Sequence, residues 1–193
     1  KYEKFYRSHL GHLNGHLSLQ SSFDISLEED DEQLKVSAQT DNTLLVSDLD
    51  LNYQELAHTT KQISWKGQTG YQQDGPIDIS GNLDITDSKT RDAQLGYLIM
   101  SLGDFQLNDL RTDLNESSFS KLTLNSIKAI MPDQSAEFIQ LGQIAVNEFK
   151  FNQKDALLNI QTVHLAQPDV RLTLDKDKQL KQLEPLLKTI DRL

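Results

Sequence analysis

A ten-residue stretch that occurs twice in the chain constrains the fold more than any other feature. The first copy runs from Leu102 to Arg111 (LGDFQLNDLR), and the second from Leu141 to Lys150 (LGQIAVNEFK), 39 residues later. Three of the ten positions are identical and five more change conservatively. A repeat of this size is typical of a supersecondary unit that stacks on copies of itself. The alternative is that two similar strands converged on one pattern.

The similarity continues beyond each copy, but with a different spacing. Ser118 to Asp133 aligns with Lys154 to Asp169 at a spacing of 36, so three residues are lost at the intervening turn, where length changes cost little. We therefore predict one β-rich repeat domain over residues 1–193, with copies at about 102–133 and 141–169. The alignment predicts that six apolar residues line one core or groove: Leu107, Leu122, Leu124, Val146, Leu158 and Ile160.

Apolar and polar residues alternate along most of the chain. Leu17, Leu19, Phe23, Ile25 and Leu27 all have odd numbers, and similar segments follow, separated by polar turns. Such alternation predicts antiparallel strands with one apolar and one wet face. Turns are predicted at residues 41–42, 74–76 and 88–92. The fold class is therefore mostly β: a long antiparallel meander that forms a curled sheet or open groove built from repeats, with a short terminal helix.

Helical spacing is confined to the two ends of the chain. Leu180, Leu183, Leu187 and Ile190 fit one face of a helix, which Pro185 interrupts. Residues 1–10 fit either a helical face or an edge strand. Because the chain starts with lysine, we expect an excised fragment of a longer protein. No stretch of it approaches the roughly 20 apolar residues of a membrane-spanning helix.

The charge balance and the residue types exclude several classes of function. The formal net charge is -10, which disfavours nucleic acids and anionic lipid surfaces as partners. There is no cysteine, so disulfide frameworks and thiol chemistry are excluded. The sequence contains neither a nucleophile-elbow motif nor a phosphate-binding loop. We therefore predict a protein that is not an enzyme and needs no cofactor.

Histidines near the start form the most suggestive candidate for a metal site. His9, His12 and His16 would share one face of a helix, but Gly11 and Gly15 disfavour a helix there. On a strand only His12 and His16 share a face. Two acidic segments, 48–50 and 175–177, superficially resemble calcium loops but lack the glycine and the distal glutamate that such loops need. We predict no metal site.

Three stretches carry a resemblance to a known family. They are Phe5-Tyr6 followed by residues 13–19 (LNGHLSL), the two repeated Leu-Gly stretches, and residues 167–177 (QPDVRLTLDKD) followed by Leu180. Together they resemble the AsmA-like group of Gram-negative envelope proteins, within it an uncharacterised repeat-containing branch. One departure is the acidic turn at residues 175–178, which reads DKDK without the glycine usual there.

The resemblance implies a periplasmic location and an inner-membrane anchor outside this fragment. It also implies a curled sheet whose apolar groove takes part in moving phospholipid between the two membranes. We therefore expect a non-enzymatic envelope module that handles lipid or supports envelope assembly, with phospholipid acyl chains or another envelope protein as partner. The alternative is a closed β-sandwich that binds a protein or a glycan. Both folds have the same alternation of residues.

Overall fold

The structure is a computed structural model that describes residues 10–30, 33–73, 75–94, 96, 98–113, 115–130 and 137–171. Within these residues it contains eight strands and no helix. The strands are β1 (Leu10–Asp30), β2 (Gln33–Tyr53), β3 (Leu56–Gln72), β4 (Ile77–Asp92), β5 (Leu98–Thr112), β6 (Glu116–Ile130), β7 (Glu137–Asn152) and β8 (Leu157–Val170). The predicted terminal helix lies outside the described residues, as does the opening segment before β1.

The eight strands form one open antiparallel sheet. Each strand pairs with its neighbours in the chain, so the strand order is β1-β2-β3-β4-β5-β6-β7-β8. This arrangement confirms the predicted antiparallel meander. Alternating sequences joined by short turns favour it, because a tight turn can connect antiparallel neighbours whereas a parallel pair needs a long crossover. The sheet leaves β1 and β8 as its two edges.

Two of the predicted turns are wrong, because strands run through them. Asp41 and Asn42 lie inside β2, where Gln68 donates a hydrogen bond of 2.7 Å to Asp41 and Ser21 donates one of 2.6 Å to Asn42. Polar residues that favour turns in isolation are here held by partners on both neighbouring strands. Residues 88–92 belong to β4, and the chain turns only after Asp92.

A transverse line of irregular residues crosses every strand. Alternate strands contribute residues with positive φ, namely Asp48, Asp87, Ser126 and Gln167, and the ladder pairing is interrupted at each of them. The first three are spaced 39 residues apart, which is the period of the repeat. The facing positions are Gly15, Lys61, Gly103 and Gly142. We call this series the break line.

The break line explains the repeated Leu-Gly pair. A β-carbon added at Gly103 would lie 2.9 Å from the β-carbon of Ser126, and one added at Gly142 would lie 2.6 Å from the side-chain oxygen of Gln167. Glycine is therefore needed where the neighbouring strand has a left-handed residue. A second, shorter interruption includes Asp109 and Glu148, which also have positive φ and are again 39 residues apart.

Few side chains of this sheet are fully buried. Among the described residues the only buried apolar side chain is Ala145, and it lies directly across from Thr123, which is buried as well. Large apolar side chains are half-buried in the central strands and exposed at the edge strands. The described residues thus form a single layer, in which neighbouring strands cover one another only in part.

Candidate functional site

Two adjacent rows of apolar side chains cross the whole sheet at right angles to the strands. In an antiparallel sheet, directly opposed residues lie on the same face, so the pairing register identifies each row. We call the two rows together the apolar track. The first row contains Leu19, Leu44, Trp65, Leu83, Leu107, Leu122, Val146 and Val163. The second row contains Leu17, Val46, Ile63, Ile85, Phe105, Leu124, Ile144 and Leu165.

The track is long, narrow and unbroken. Each strand contributes one residue to each row, and the two are separated by one intervening residue, so they lie on one face about 7 Å apart. Seven spacings of about 4.8 Å between eight strands make the track about 34 Å long. This length is close to the roughly 30 Å thickness of the hydrocarbon core of a bilayer.

The track presents only hydrocarbon and one indole ring to its surroundings. None of its sixteen side chains is charged. The twelve central ones are half-buried, whereas at the edges Leu17 is 71% exposed and Val163 is 59% exposed. An exposed apolar surface of this extent marks a place where another apolar surface binds. The arrangement suits a flexible hydrocarbon chain or an apolar partner, and it offers no group for acid–base or nucleophilic chemistry.

Four of the six residues that the sequence singled out lie in the track. Leu107, Leu122 and Val146 occupy consecutive places in the first row, and Leu124 lies in the second row. Leu158 and Ile160 lie elsewhere on β8, because the register places Val163 beside Val146 and Leu165 beside Ile144. The β8 residues equivalent to those of β6 are therefore 41 positions further along the chain, not 36.

Leu158 and Ile160 belong to a separate apolar patch beyond the second interruption. Ile160 lies across from Phe149, whose ring stacks on that of Phe119 with centroids 4.6 Å apart. Leu158 lies across from Phe151 and is 56% exposed. These residues are apolar and equally close to the edge, which makes them natural controls for the track.

Sequence reasoning missed most of the track, although its signal was present. Ile63 with Trp65 on β3, and Leu83 with Ile85 on β4, are alternating pairs just like the pairs found by the repeat. What the alternation did not show is which pair of each strand meets which pair of the next. That information comes from the pairing register, which the turn lengths and the break line determine.

The opposite face of the sheet carries a polar cavity of about 990 Å³. Its lining includes Gln20, Thr43, Lys66 and Asn82, each of which is adjacent in sequence to a track residue and so points to the other face. None of the sixteen track residues lines this cavity. Because the lining reaches from β1 to β6, the sheet curves around its polar face in this region, and the track is not its floor.

A hydrogen-bonded cluster surrounds His58 on the same side as the cavity. The Nδ1 atom of His58 lies 3.0 Å from the Thr90 hydroxyl, and its Nε2 atom lies 2.8 Å from the hydroxyl of Thr60. Thr60 donates a 3.3 Å hydrogen bond to Ser88 and is 2% exposed. Burial lowers the pKa of His58 below its ordinary value of 6.5. The cluster binds β3 to β4 through neutral groups.

Two carboxylates near the ends of the repeats are held in their charged form. Asp87, on the break line, accepts a hydrogen bond from Lys89 at 2.7 Å, and this contact lowers the pKa of Asp87. Asp113 accepts backbone hydrogen bonds from Glu116 and Asn115, which lower its pKa. Asp113 therefore caps the turn between β5 and β6.

The candidate metal ligands are dispersed. His12 and His16 lie on β1, and His12 is 3.9 Å from a carboxylate oxygen of Asp50, with both side chains about half exposed. His9 and residues 175–177 lie outside the described residues. In the part of the chain that the structure describes, no group of three or more His, Cys, Asp or Glu side chains is arranged to hold a metal ion.

No protein-family model, curated protein or solved structure matches this chain. No helix with the length and apolar character needed to cross a membrane occurs among the described residues. The functional argument therefore depends on the track, the cavity and the sequence itself.

Proposed function

We propose that this chain is a non-enzymatic module of the Gram-negative envelope, and that its apolar track binds the acyl chains of phospholipids. The observation that supports this proposal most strongly is the continuity of the two rows across all eight strands. A core that only had to stabilise the sheet would need a covering layer, whereas the described residues leave the track open on its outer side. An acyl chain supplies such a cover without requiring any polar partner.

The width of the track fits a single hydrocarbon chain better than a folded partner. Two rows of side chains about 7 Å apart form a shallow strip, bounded on one side by the break line. A chain that lies on such a strip buries about half of its surface. Burial of a whole CH₂ group contributes about 0.8 kcal/mol, so half-burial contributes about 0.4 kcal/mol, or roughly a twofold gain in affinity per CH₂.

The periplasmic location, the inner-membrane anchor beyond this fragment and the role in lipid handling or envelope assembly are parts of the same proposal. They are supported by the resemblance to AsmA-like proteins in residues 13–19, 102–111, 141–150 and 167–177. The acidic character of the chain, with a net charge of -10, suits recognition of acyl chains better than recognition of anionic headgroups.

The test is lipid content followed by chain-length dependence. Organic extraction of the purified protein and mass spectrometry should detect co-purified phospholipid. Titration of lipid-free protein with saturated fatty acids of increasing length should show an affinity that rises about twofold per CH₂ until the track is filled. A protein that carries no lipid and shows no dependence on chain length would contradict the proposal and would favour the protein- or glycan-binding alternative.

A further inference from the structure

We infer that β1 pairs with β1 of a second copy of this chain, antiparallel, around a two-fold axis at Ser18. β1 is an edge strand of 21 residues and, among the described residues, pairs only with β2. Its outer backbone groups therefore form a row of donors and acceptors that can accept a further strand. The inference depends on the edge geometry alone and not on acyl-chain binding.

β1 lacks the features that usually protect an edge strand from pairing. Natural edges carry lysine, proline or inward-pointing charges, or are very short. From Leu10 to Leu27, β1 contains no lysine, arginine or proline, and its only carboxylate is Asp24. The other edge, β8, has 14 residues and contains Pro168, which lacks a backbone donor. The two edges thus differ, and β1 is the one suited to a partner.

The sequence of β1 is self-complementary about Ser18. In the two-fold arrangement Leu17 faces Leu19 of the second copy, and Leu13 faces its Phe23. These side chains are 60–75% exposed in one copy, whereas their equivalents in the central strands are half-buried. Pairing would therefore give Leu17 and Leu19 the neighbours that the other track residues already have. Both rows of the track would continue without a gap into the second copy.

The charges of β1 favour the antiparallel arrangement over a parallel one. In the antiparallel register His12 of each copy faces Asp24 of the other, which places opposite charges together when the histidine is protonated. The acidic residues Glu28 and Glu29 lie at opposite ends of the interface. A parallel register would instead set Asp24 beside Asp24 and Glu28 beside Glu28, which is repulsive. The resulting sheet has sixteen strands and a track about 72 Å long.

Single cysteines test this arrangement cleanly, because the chain has none of its own. In the two-fold arrangement the two Ser18 residues are directly opposed, with β-carbons about 4.5–5.5 Å apart, close enough for a disulfide after small adjustments. S18C in the full chain should therefore become a covalent dimer under mild oxidation. The matched control is S26C on the same strand, whose two copies would be about 54 Å apart. S26C should stay monomeric on a non-reducing gel.

Sedimentation equilibrium on the uncross-linked protein completes the test. The wild type should be a dimer, and the double variant L17K/L19K should dimerise at least tenfold more weakly. V163K/L165K, which adds the same charges to the same rows at the β8 edge, should dimerise like the wild type. Circular dichroism checks that both variants keep their strand content. A monomeric wild type would overturn the inference, as would equal cross-linking of S18C and S26C. Open-ended oligomers that both lysine variants disrupt would also overturn it, in favour of β1–β8 pairing.

Discussion

Gly67 and Gly81 lie directly across from each other on β3 and β4, and the indole ring of Trp65 covers both of them. A β-carbon added at Gly67 would lie 2.5 Å from Cζ2 of Trp65, and one added at Gly81 would lie 2.8 Å from the same atom. The two missing side chains leave space for the largest side chain of the track. The track therefore begins immediately beside a surface of bare backbone.

We predict that G81A destabilises the protein by about 1–3 kcal/mol, the usual cost of overpacking. The added methyl group would lie 2.5 Å from the carbonyl oxygen of Lys66 and 2.6 Å from the α-carbon of Gly67, and backbone atoms move away only at a cost. G70A on β3 is the control, because its methyl group would lie 3.7 Å from Asp78, an ordinary contact. Urea denaturation should separate the two variants, and equal stabilities would show that the glycine pair is not required.

The stability of the sheet should fall as the pH drops through 6.5. Burial lowers the pKa of His58 in the folded protein, so the unfolded chain binds more protons in this range. The stabilisation is therefore fully present above pH 6.5 and is lost as the pH falls toward the folded pKa. Urea midpoints measured between pH 8 and 5, values chosen to bracket about 6.5, should show this loss in the wild type.

Matched variants assign the pH effect to His58. H58Q keeps a hydrogen-bonding side chain but does not titrate, so its midpoint should depend much less on pH over the same range. H164Q, at an exposed position on β8, should behave like the wild type. The lowered pKa values of Asp87 and Asp113 act below about 3.8 and leave this window unaffected. An unchanged pH dependence in H58Q would disprove the assignment.

The six residues predicted from the repeat provide a test of the track. Aspartate at Leu107, Leu122, Leu124 or Val146 places a carboxylate in the middle of the strip, and we expect bound lipid to fall at least tenfold. Because these side chains are half-buried in a single layer, the carboxylate stays partly hydrated and the sheet should remain folded. Aspartate at Leu158 or Ile160, outside the track, should leave lipid binding within about twofold of the wild type.

Melting temperature and bound lipid should be measured on all six variants. Loss of lipid from the four track variants alone, at similar melting temperatures, is the expected result. If all six variants lose lipid in proportion to their loss of stability, the effect comes from unfolding and the track has no special role.

The alternation of residues such as Leu17 and Leu19 was sufficient to predict the strands, because a period of two has one simple physical meaning. The Leu-Gly pair was equally informative, since glycine at 103 and 142 faces left-handed residues on the next strand. The repeat found Leu107 and Val146 correctly because β5 and β7 keep the spacing of 39.

The equivalents on β8 were misplaced for an equally specific reason. The alignment assumed that residues were lost at the turn between β7 and β8, whereas the register adds two positions and selects Val163 and Leu165. Both candidate pairs on β8 are apolar, so composition does not distinguish them. The predicted turn at Asp41 and Asn42 is wrong for a related reason, since partners on neighbouring strands override the local preference.

The most direct test of acyl-chain binding uses Trp65, the only tryptophan in the chain and a member of the first row of the track. Phospholipid with bromine atoms on its acyl chains quenches tryptophan only on close contact. If acyl chains lie on the track, this lipid should quench the emission of Trp65, whereas the unbrominated lipid should not. In the variant W65F/L158W the tryptophan lies outside the track, and quenching should be largely lost. Equal quenching of both proteins, or none in the wild type, would contradict the account.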